Sequence, residues 1–225
     1  MQKFATIYHR AAERYGGEEA LEAKLSGPTY GDAAIGEKSD AQWLGEFTKR
    51  IFQAGFNWKV VENKWDGFEA AFWNFKPSRC ARIDFDDMES LTSNAAIVRN
   101  PKKIKTVTIN AQMILDMAEQ SGSADAFIRG WPSDDYIGLL THLNKHGSHL
   151  GANTASYALR FSGVPSFILS KDVTAALIHA GIIDKPATSK TAKRAVQATF
   201  NQWGNESGRS LTDISRILAY SIDGG

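Results

Sequence analysis

Apolar residues along most of the chain recur every three or four positions, which is the spacing of an amphipathic helix. Glycine, proline and capping residues such as Ser39 and Ser170 separate the apolar runs. The predicted helices cover, in chain order, 4–12, 40–54, 58–72, a short segment from 86, 101–120, 124–131, 133–145, 154–161, 172–180, 188–203 and 210–222. Only 166–169 has a strand-like composition, so the pattern predicts an all-α fold of about ten short helices.

The connections between these helices are short, so the sequence predicts a single unit over 1–225 without independent domains. We expect two lobes within this unit. The middle lobe covers 37–132. The second lobe combines 1–36 with 133–225 and contains a helical hairpin at about 137–162.

The composition is that of an ordinary globular protein, with 43% hydrophobic and 23% charged residues. The net charge of +1 excludes a general polycation, so a nucleic-acid surface has to be a local basic patch. The single cysteine, Cys80, excludes an intramolecular disulfide and favours a cytoplasmic location. The chain starts without the apolar core of a secretion signal, and no apolar stretch reaches the ~20 residues of a membrane span, so we expect no membrane association.

Two segments of the predicted middle lobe carry a specific order of residues. The first is the turn Gln53-Ala54-Gly55-Phe56-Asn57-Trp58, followed by Phe68-Glu69-Ala70-Ala71-Phe72. The second is Ile97-Val98-Arg99-Asn100, followed by Lys103-Ile104 and Asn110-Ala111. In order and spacing they resemble the DNA-3-methyladenine glycosylase I family of helix-hairpin-helix DNA glycosylases. The resemblance implies a two-lobed helical enzyme, a monomer, that acts on double-stranded DNA and removes an alkylated base in base excision repair.

The resemblance also implies a base pocket around the turn at 53–58. Trp58 follows Gly55 at the family's position, and an electron-rich indole stacks well on a flipped alkylated base. The other pocket candidates are Gln53, Phe56, Asn57, Arg50, Glu46 and Tyr30. Two alternatives stay open, because tryptophan more often fills a helical core and Asn57 or Gln53 can serve only as a helix cap.

One pocket position departs from the family pattern. The family has a glutamate on the helix before the turn, which recognises the methylated adenine, and Arg50 occupies that position here. A cation repels a cationic base, so Arg50 argues against 3-methyladenine as the substrate. Glu46 lies one turn earlier and is the candidate to replace the missing carboxylate.

The segment from His149 to Tyr157 resembles the hairpin of the wider glycosylase superfamily. A turn of small residues between two helices directs backbone N–H groups outward, where they bind phosphate oxygens without reading the bases. The predicted DNA-binding residues are His149, Leu150, Gly151, Asn153, Thr154 and, outside the hairpin, Lys103. The alternative is a turn that only packs two helices together.

Asp172 is the candidate catalytic residue, because the superfamily carries an aspartate in the loop that follows the hairpin. A carboxylate there would stabilise the positive charge that develops on the deoxyribose ring, in a cleft shared with Trp58. The alternative is an acid that only favours the start of its helix. Asn153 stands where bifunctional relatives have a nucleophilic lysine, so we expect no Schiff base and no strand cleavage.

We expect no metal and no cofactor. The family's structural zinc uses Cys and His from both chain ends, and no such pair lies near either terminus. His142, His146 and His149 are spaced for one helix face, but His149 falls in the hairpin turn. Two other functions stay open: a non-catalytic helix-hairpin-helix module that binds damaged or bent DNA, and a helical interaction protein without a nucleic-acid role.

Overall fold

The computed structural model describes residues 2–26, 36–151 and 153–222. These residues form α-helices and one short 3-10 helix and contain no strand, which confirms the predicted all-α class. The strand-like segment 166–169 lies in irregular backbone. Its Ser166 and Ile168 N–H groups donate to the hydroxyls of Thr212 and Ser215, at 3.1 and 3.2 Å, so side chains of a helix take the place of a partner strand.

The helices are α1 (Phe4–Arg14), α2 (Glu18–Ser26), α3 (Asp40–Gln53), α4 (Trp58–Glu62), α5 (Trp65–Ala71), η1 (Trp73–Phe75, 3-10), α6 (Pro77–Cys80), α7 (Phe85–Ser93), α8 (Pro101–Ser121), α9 (Ala124–Arg129), α10 (Tyr136–His146), α11 (Thr154–Phe161), α12 (Lys171–His179), α13 (Lys190–Ser207) and α14 (Leu211–Tyr220). Helix α2 was not predicted, and the predicted helix 58–72 is two helices, α4 and α5. The helix predicted from Ser133 starts only at Tyr136, because the chain first turns at Pro132, whose carbonyl accepts from the N–H of Asp135.

The described residues fall into two compact units. The terminal unit comprises the described parts of Met1–Ile35, Pro132–Ile137 and Leu159–Gly225. In it α1 packs on α2, α13 and α14, and α12 packs on α14. Its core includes Phe200 and Trp203. The buried Arg216 donates to the carbonyls of Lys24 and Leu25, both at 2.7 Å, and so binds the carboxyl end of α2.

The central unit comprises Gly36–Trp131 and Gly138–Ala158. Residues 138–158, which the sequence analysis grouped with the second lobe, therefore cluster with 36–131. The long helix α8 contacts α3, α6, α7 and α9. A buried polar contact ties α3 to α9, where the indole N–H of Trp43 donates to Asp125 at 2.9 Å.

A left-handed turn closes the aromatic core of the central unit. Trp73, Asn74 and Phe75 have φ values of 50°, 52° and 55°, a conformation that costs L-residues about 1–2 kcal/mol each. The ring of Phe75 stacks on Phe72 and on Trp65, with centroids 5.6 and 5.3 Å away. This stacking offsets the strain. No glycine marks the turn, so the sequence pattern did not predict it.

Candidate active site

One face of α3 carries the polar group of the site. Glu46, Arg50 and Gln53 follow one another at helical spacing. Arg50 Nε donates to Glu46 Oε1 at 2.5 Å, and Arg50 Nη1 donates to Gln53 Oε1 at 2.6 Å. The side chains of Arg50 and Glu46 are only 8% and 13% exposed, so the two charges form a largely buried pair that is neutral as a whole.

Trp58 lies beside this group at the start of α4. The guanidinium carbon of Arg50 is 5.6 Å from the centroid of its ring, within the range of a cation–π contact. Tyr157 meets the same indole edge to face, with centroids 5.9 Å apart. Trp58 is 39% exposed, so it does not fill the core as tryptophan usually does. Such an indole offers a held but accessible surface on which a planar base can stack.

The amide nitrogen of Gln53, which carries two N–H donors, makes no hydrogen bond to the described residues. The amide oxygen accepts from Arg50, which fixes the orientation of the amide. Gln53 is 1% exposed, and its Nε2 has no hydrogen-bond partner among the described residues. A buried donor without a hydrogen-bond partner costs about 1–3 kcal/mol of stability, so a hydrogen-bond acceptor placed at this atom would be stabilising.

The turn between α3 and α4 is held from α8. Lys103 Nζ donates to the carbonyl of Ala54 at 2.6 Å and to that of Phe52 at 3.3 Å. It also lies 4.6 Å from the ring centroid of the exposed Phe56. Burial lowers the pKa of Lys103. These contacts account for Lys103 as a residue that positions the turn, and its expected phosphate contact stays a prediction.

Asn57 has a local role. Its side-chain oxygen accepts from the N–H of Lys59 at 3.0 Å and caps α4, which was the alternative interpretation of this residue. A pocket role for Asn57 stays a prediction. Tyr30, the remaining pocket candidate, lies outside the described residues.

The hairpin turn, residues 147–151 and 153 between α10 and α11, is fixed by Asn110 of α8. The buried Asn110 amide accepts from the N–H of Ser148 at 2.7 Å and donates to its carbonyl at 3.2 Å. His149 is exposed with φ of 59°, whereas the side chain of Leu150 is buried. The buried side chain of Leu150 therefore anchors the turn, and only the backbone of this residue could contact DNA.

The small residues of this turn are required by packing. A Cβ on Gly151 would lie 2.8 Å from Asn144 Oδ1, and one on Gly147 would lie 2.8 Å from the carbonyl oxygen of Leu143. Asn153 and Thr154 are partly exposed at the start of α11. The DNA contacts assigned to His149, Gly151, Asn153 and Thr154 stay predictions.

Asp172 lies in the first turn of α12 and is partly exposed. Ser170 caps this helix by accepting from the N–H of Val173 at 3.2 Å. Asp172 belongs to the terminal unit, whereas Trp58 belongs to the central unit. Its catalytic role and the shared cleft stay predictions.

Asn110 and Tyr157 lie within two of the family-like motifs, but the sequence predicted a role for neither residue. Their positions within these motifs were the signal from which a role could have been predicted. Among the described residues, no three or more His, Cys, Asp and Glu side chains are grouped to hold a metal ion. No described helix combines the length and the apolar character that crossing a membrane requires.

Curated proteins similar to this chain include two bacterial relatives. The chain is 37% identical over 70 residues to DNA-3-methyladenine glycosylase 1 of Escherichia coli, which is 31% of this chain and 37% of that protein. It is 28% identical over 76 residues to DNA-3-methyladenine glycosylase of Haemophilus influenzae, which is 34% of this chain and 41% of that protein. The matched stretches thus span about two fifths of these relatives.

A solved structure and a family model complete the comparison. 3-Methyladenine DNA glycosylase I from Staphylococcus aureus superposes with a TM-score of 0.51 at 21% identity, over 69% of this chain and 91% of that chain. This likeness establishes the helical fold. Residues 29–160 match the family model described as methyladenine glycosylase, and this range holds Glu46, Arg50, Gln53, Trp58 and the hairpin turn. Because the match covers more than half of the 225 residues, the chain belongs to the methyladenine glycosylase family.

Proposed function

We propose that the chain is a monofunctional DNA glycosylase that hydrolyses the N-glycosidic bond of an alkylated, 3-methyladenine-like base in double-stranded DNA. It acts as a monomer in base excision repair, and the lone buried Cys80 fits the reducing cytoplasm as its location. The observation that carries the proposal is the partly exposed Trp58, held by Arg50 and Tyr157 inside the segment that matches the family.

In this proposal the target nucleotide leaves the DNA stack and its base lies against Trp58. An alkylated purine is an activated leaving group, so the enzyme has to select the base and to stabilise modest positive charge on the sugar. Asp172 supplies that stabilisation through its carboxylate. The amide of Asn153 forms no Schiff base, so the product is an abasic site in an intact strand.

The hairpin turn binds the DNA backbone. The turn at His149 and Gly151 presents backbone N–H groups to phosphate oxygens, and Asn110 keeps this backbone in place through both bonds to Ser148. This binding carries no sequence information, which suits an enzyme that searches for a damaged base in any context.

The test is release of free bases from methylated duplex DNA, with the products identified by mass. We expect Asp172→Asn to lower the single-turnover rate by at least about tenfold while DNA affinity is retained. Asp184→Asn, at an exposed acid of the same unit, is the matched control. An unchanged rate in Asp172→Asn would remove this residue from the mechanism.

A non-catalytic module that binds damaged DNA is the second candidate function. The observation that favours it is the pairing of Glu46 with Arg50, which leaves the group beside Trp58 without net negative charge for a cationic base. Tight, salt-dependent DNA binding without release of any free base would establish this second function instead.

A further inference from the structure

Helix α11 begins directly on the hairpin turn. The N–H of Thr154 donates to the carbonyl of Gly151 at 3.1 Å, and the N–H of Tyr157 donates to the carbonyl of Asn153 at 2.9 Å. The first helical turn of α11 is therefore bonded to the backbone that is proposed to bind phosphate. Because these bonds close a single helical turn, a shift of Gly151 or Asn153 moves the backbone of Tyr157 with it.

The ring of Tyr157 connects this helix to the base site. It meets the indole of Trp58 edge to face, with the centroids 5.9 Å apart and the ring planes at 88°. Both residues belong to the central unit, and Tyr157 is half-buried. An edge-to-face contact depends on the distance and on the angle between two rings, so it affects the tilt of the indole as well as its place.

Arg50 contacts the same indole from another element. Its guanidinium carbon lies 5.6 Å from the ring centroid of Trp58, and Arg50 belongs to α3. The contact with Arg50 thus sets the indole relative to α3, whereas the contact with Tyr157 sets it relative to the hairpin turn. A movement of the turn therefore reaches the stacking surface through Tyr157.

We propose that Tyr157 is a positioning residue that couples strand binding at the hairpin turn to base stacking on Trp58. This proposal rests on the proposed glycosylase function and names how its base site is regulated. Bound DNA narrows the range of positions of the turn and of α11, so less remains to be ordered when the base binds. By thermodynamic linkage, DNA then tightens the binding of the base, and the base tightens the binding of DNA by the same factor.

The experiment measures binding of free 3-methyladenine through quenching of tryptophan fluorescence, with and without a duplex that carries a tetrahydrofuran abasic analogue. Such a duplex occupies the hairpin turn and leaves the base site empty. The chain has six tryptophans, so the quenching that is lost in Trp58→Phe is assigned to Trp58. We expect the duplex to tighten binding of the base by about threefold to tenfold in the wild type, and by less than about twofold in Tyr157→Leu.

Two variants serve as controls for this measurement. Tyr157→Phe retains a ring against Trp58 and should keep the effect of the duplex. Phe127→Leu removes another half-buried ring of the central unit, which contacts Trp131 and His142 with centroids 5.7 and 4.9 Å away, and should keep it as well. Urea unfolding of Tyr157→Leu and Phe127→Leu compares their losses of stability, which separates coupling from a general loss of packing.

Base release from methylated DNA gives a second measurement. Tyr157→Leu should lower the single-turnover rate by about tenfold, because a misplaced stacking surface misorients the reacting nucleotide. Its affinity for an undamaged duplex, which leaves the base site empty, should stay within about twofold of the wild-type value. Tyr157→Phe should restore the rate, and a rate as low as that of Tyr157→Leu would contradict a role of the ring.

The outcomes separate this proposal from the proposed function. Equal affinity for the base with and without the duplex in the wild type would overturn the coupling, and so would an undiminished effect of the duplex in Tyr157→Leu. Both binding measurements are independent of catalysis. Absence of base release by folded wild-type protein would overturn the glycosylase function, whereas base release without any effect of the duplex on base binding would overturn the coupling alone.

Discussion

Cys80 lies wholly inside the central unit, and its thiol donates to the carbonyl oxygen of Phe72 at 3.2 Å. Burial raises the pKa of this thiol to about 12, so the reactive thiolate does not form near neutral pH. We predict that Cys80 does not react with an aromatic disulfide reagent in the native protein and reacts fully in denaturant. Absorbance of the released thiolate measures both reactions, and rapid labelling of native protein would contradict the burial.

At the scale of residues, the sequence indicated which residues lie near the site better than it indicated which hydrogen bonds they make. Trp58 was identified from its place after Gly55, and it is indeed partly exposed beside Arg50. The phosphate contact of Lys103 stays a prediction, and the sequence did not predict that its ammonium binds carbonyls about 50 residues earlier in the chain. Such a pairing depends on how α3 and α8 pack, and no local pattern encodes it.

At the scale of elements, the hairpin turn supports a prediction with a matched pair of variants. Gly147→Ala places a Cβ 2.6 Å from Leu150 and 2.8 Å from the backbone oxygen of Leu143, and backbone does not yield. Gly151→Ala meets only the amide end of Asn144, at 2.8 Å, which can rotate away. We expect Gly147→Ala to lower the free energy of unfolding by about 1–3 kcal/mol, and Gly151→Ala to cost less.

DNA affinity should separate the same two variants in another way. If the turn binds DNA as proposed, a methyl group at Gly151 crowds the backbone that a phosphate approaches, so Gly151→Ala should bind DNA weakly although it loses little stability. Urea unfolding and fluorescence anisotropy measure the two properties. Wild-type affinity in Gly151→Ala would show that the turn only packs α10 against α11.

Helices and their ends were more predictable than the connections between them. Capping residues marked the starts of α3 and α12, since an N-cap side chain acts within three residues. The start of α10 was misplaced because Ser133 is followed by a turn. The left-handed η1 had no local signal, because it is stabilised by rings from other helices.

At the scale of the whole molecule, 26 basic and 25 acidic residues leave a net charge of +1, so DNA binding depends on a local patch. Lys102 and Lys105 are exposed at the start of α8. We predict that affinity for DNA falls as salt rises, and that the double change Lys102→Gln, Lys105→Gln lowers the slope of log K against log salt by about 1–2.

Anisotropy titrations over a range of salt concentrations measure that slope. Lys76→Gln, at another exposed lysine of the central unit, is the control and should keep the wild-type slope. Affinity that does not depend on salt would contradict a phosphate-binding surface and would favour a partner other than nucleic acid.

Helix α8 fixes the spacing between two turns of the central unit. Lys103 holds the turn before Trp58, and seven residues later Asn110 holds the hairpin turn. Seven residues are close to two full helical turns, so the side chains of Lys103 and Asn110 leave the same face of α8, about 10 Å apart along its axis. A single residue inserted between Lys103 and Asn110 would rotate one of these side chains by about 100° about the helix axis relative to the other. The hairpin turn and the turn before Trp58 would then no longer be held in the same orientation, although every side chain of both turns would still be present.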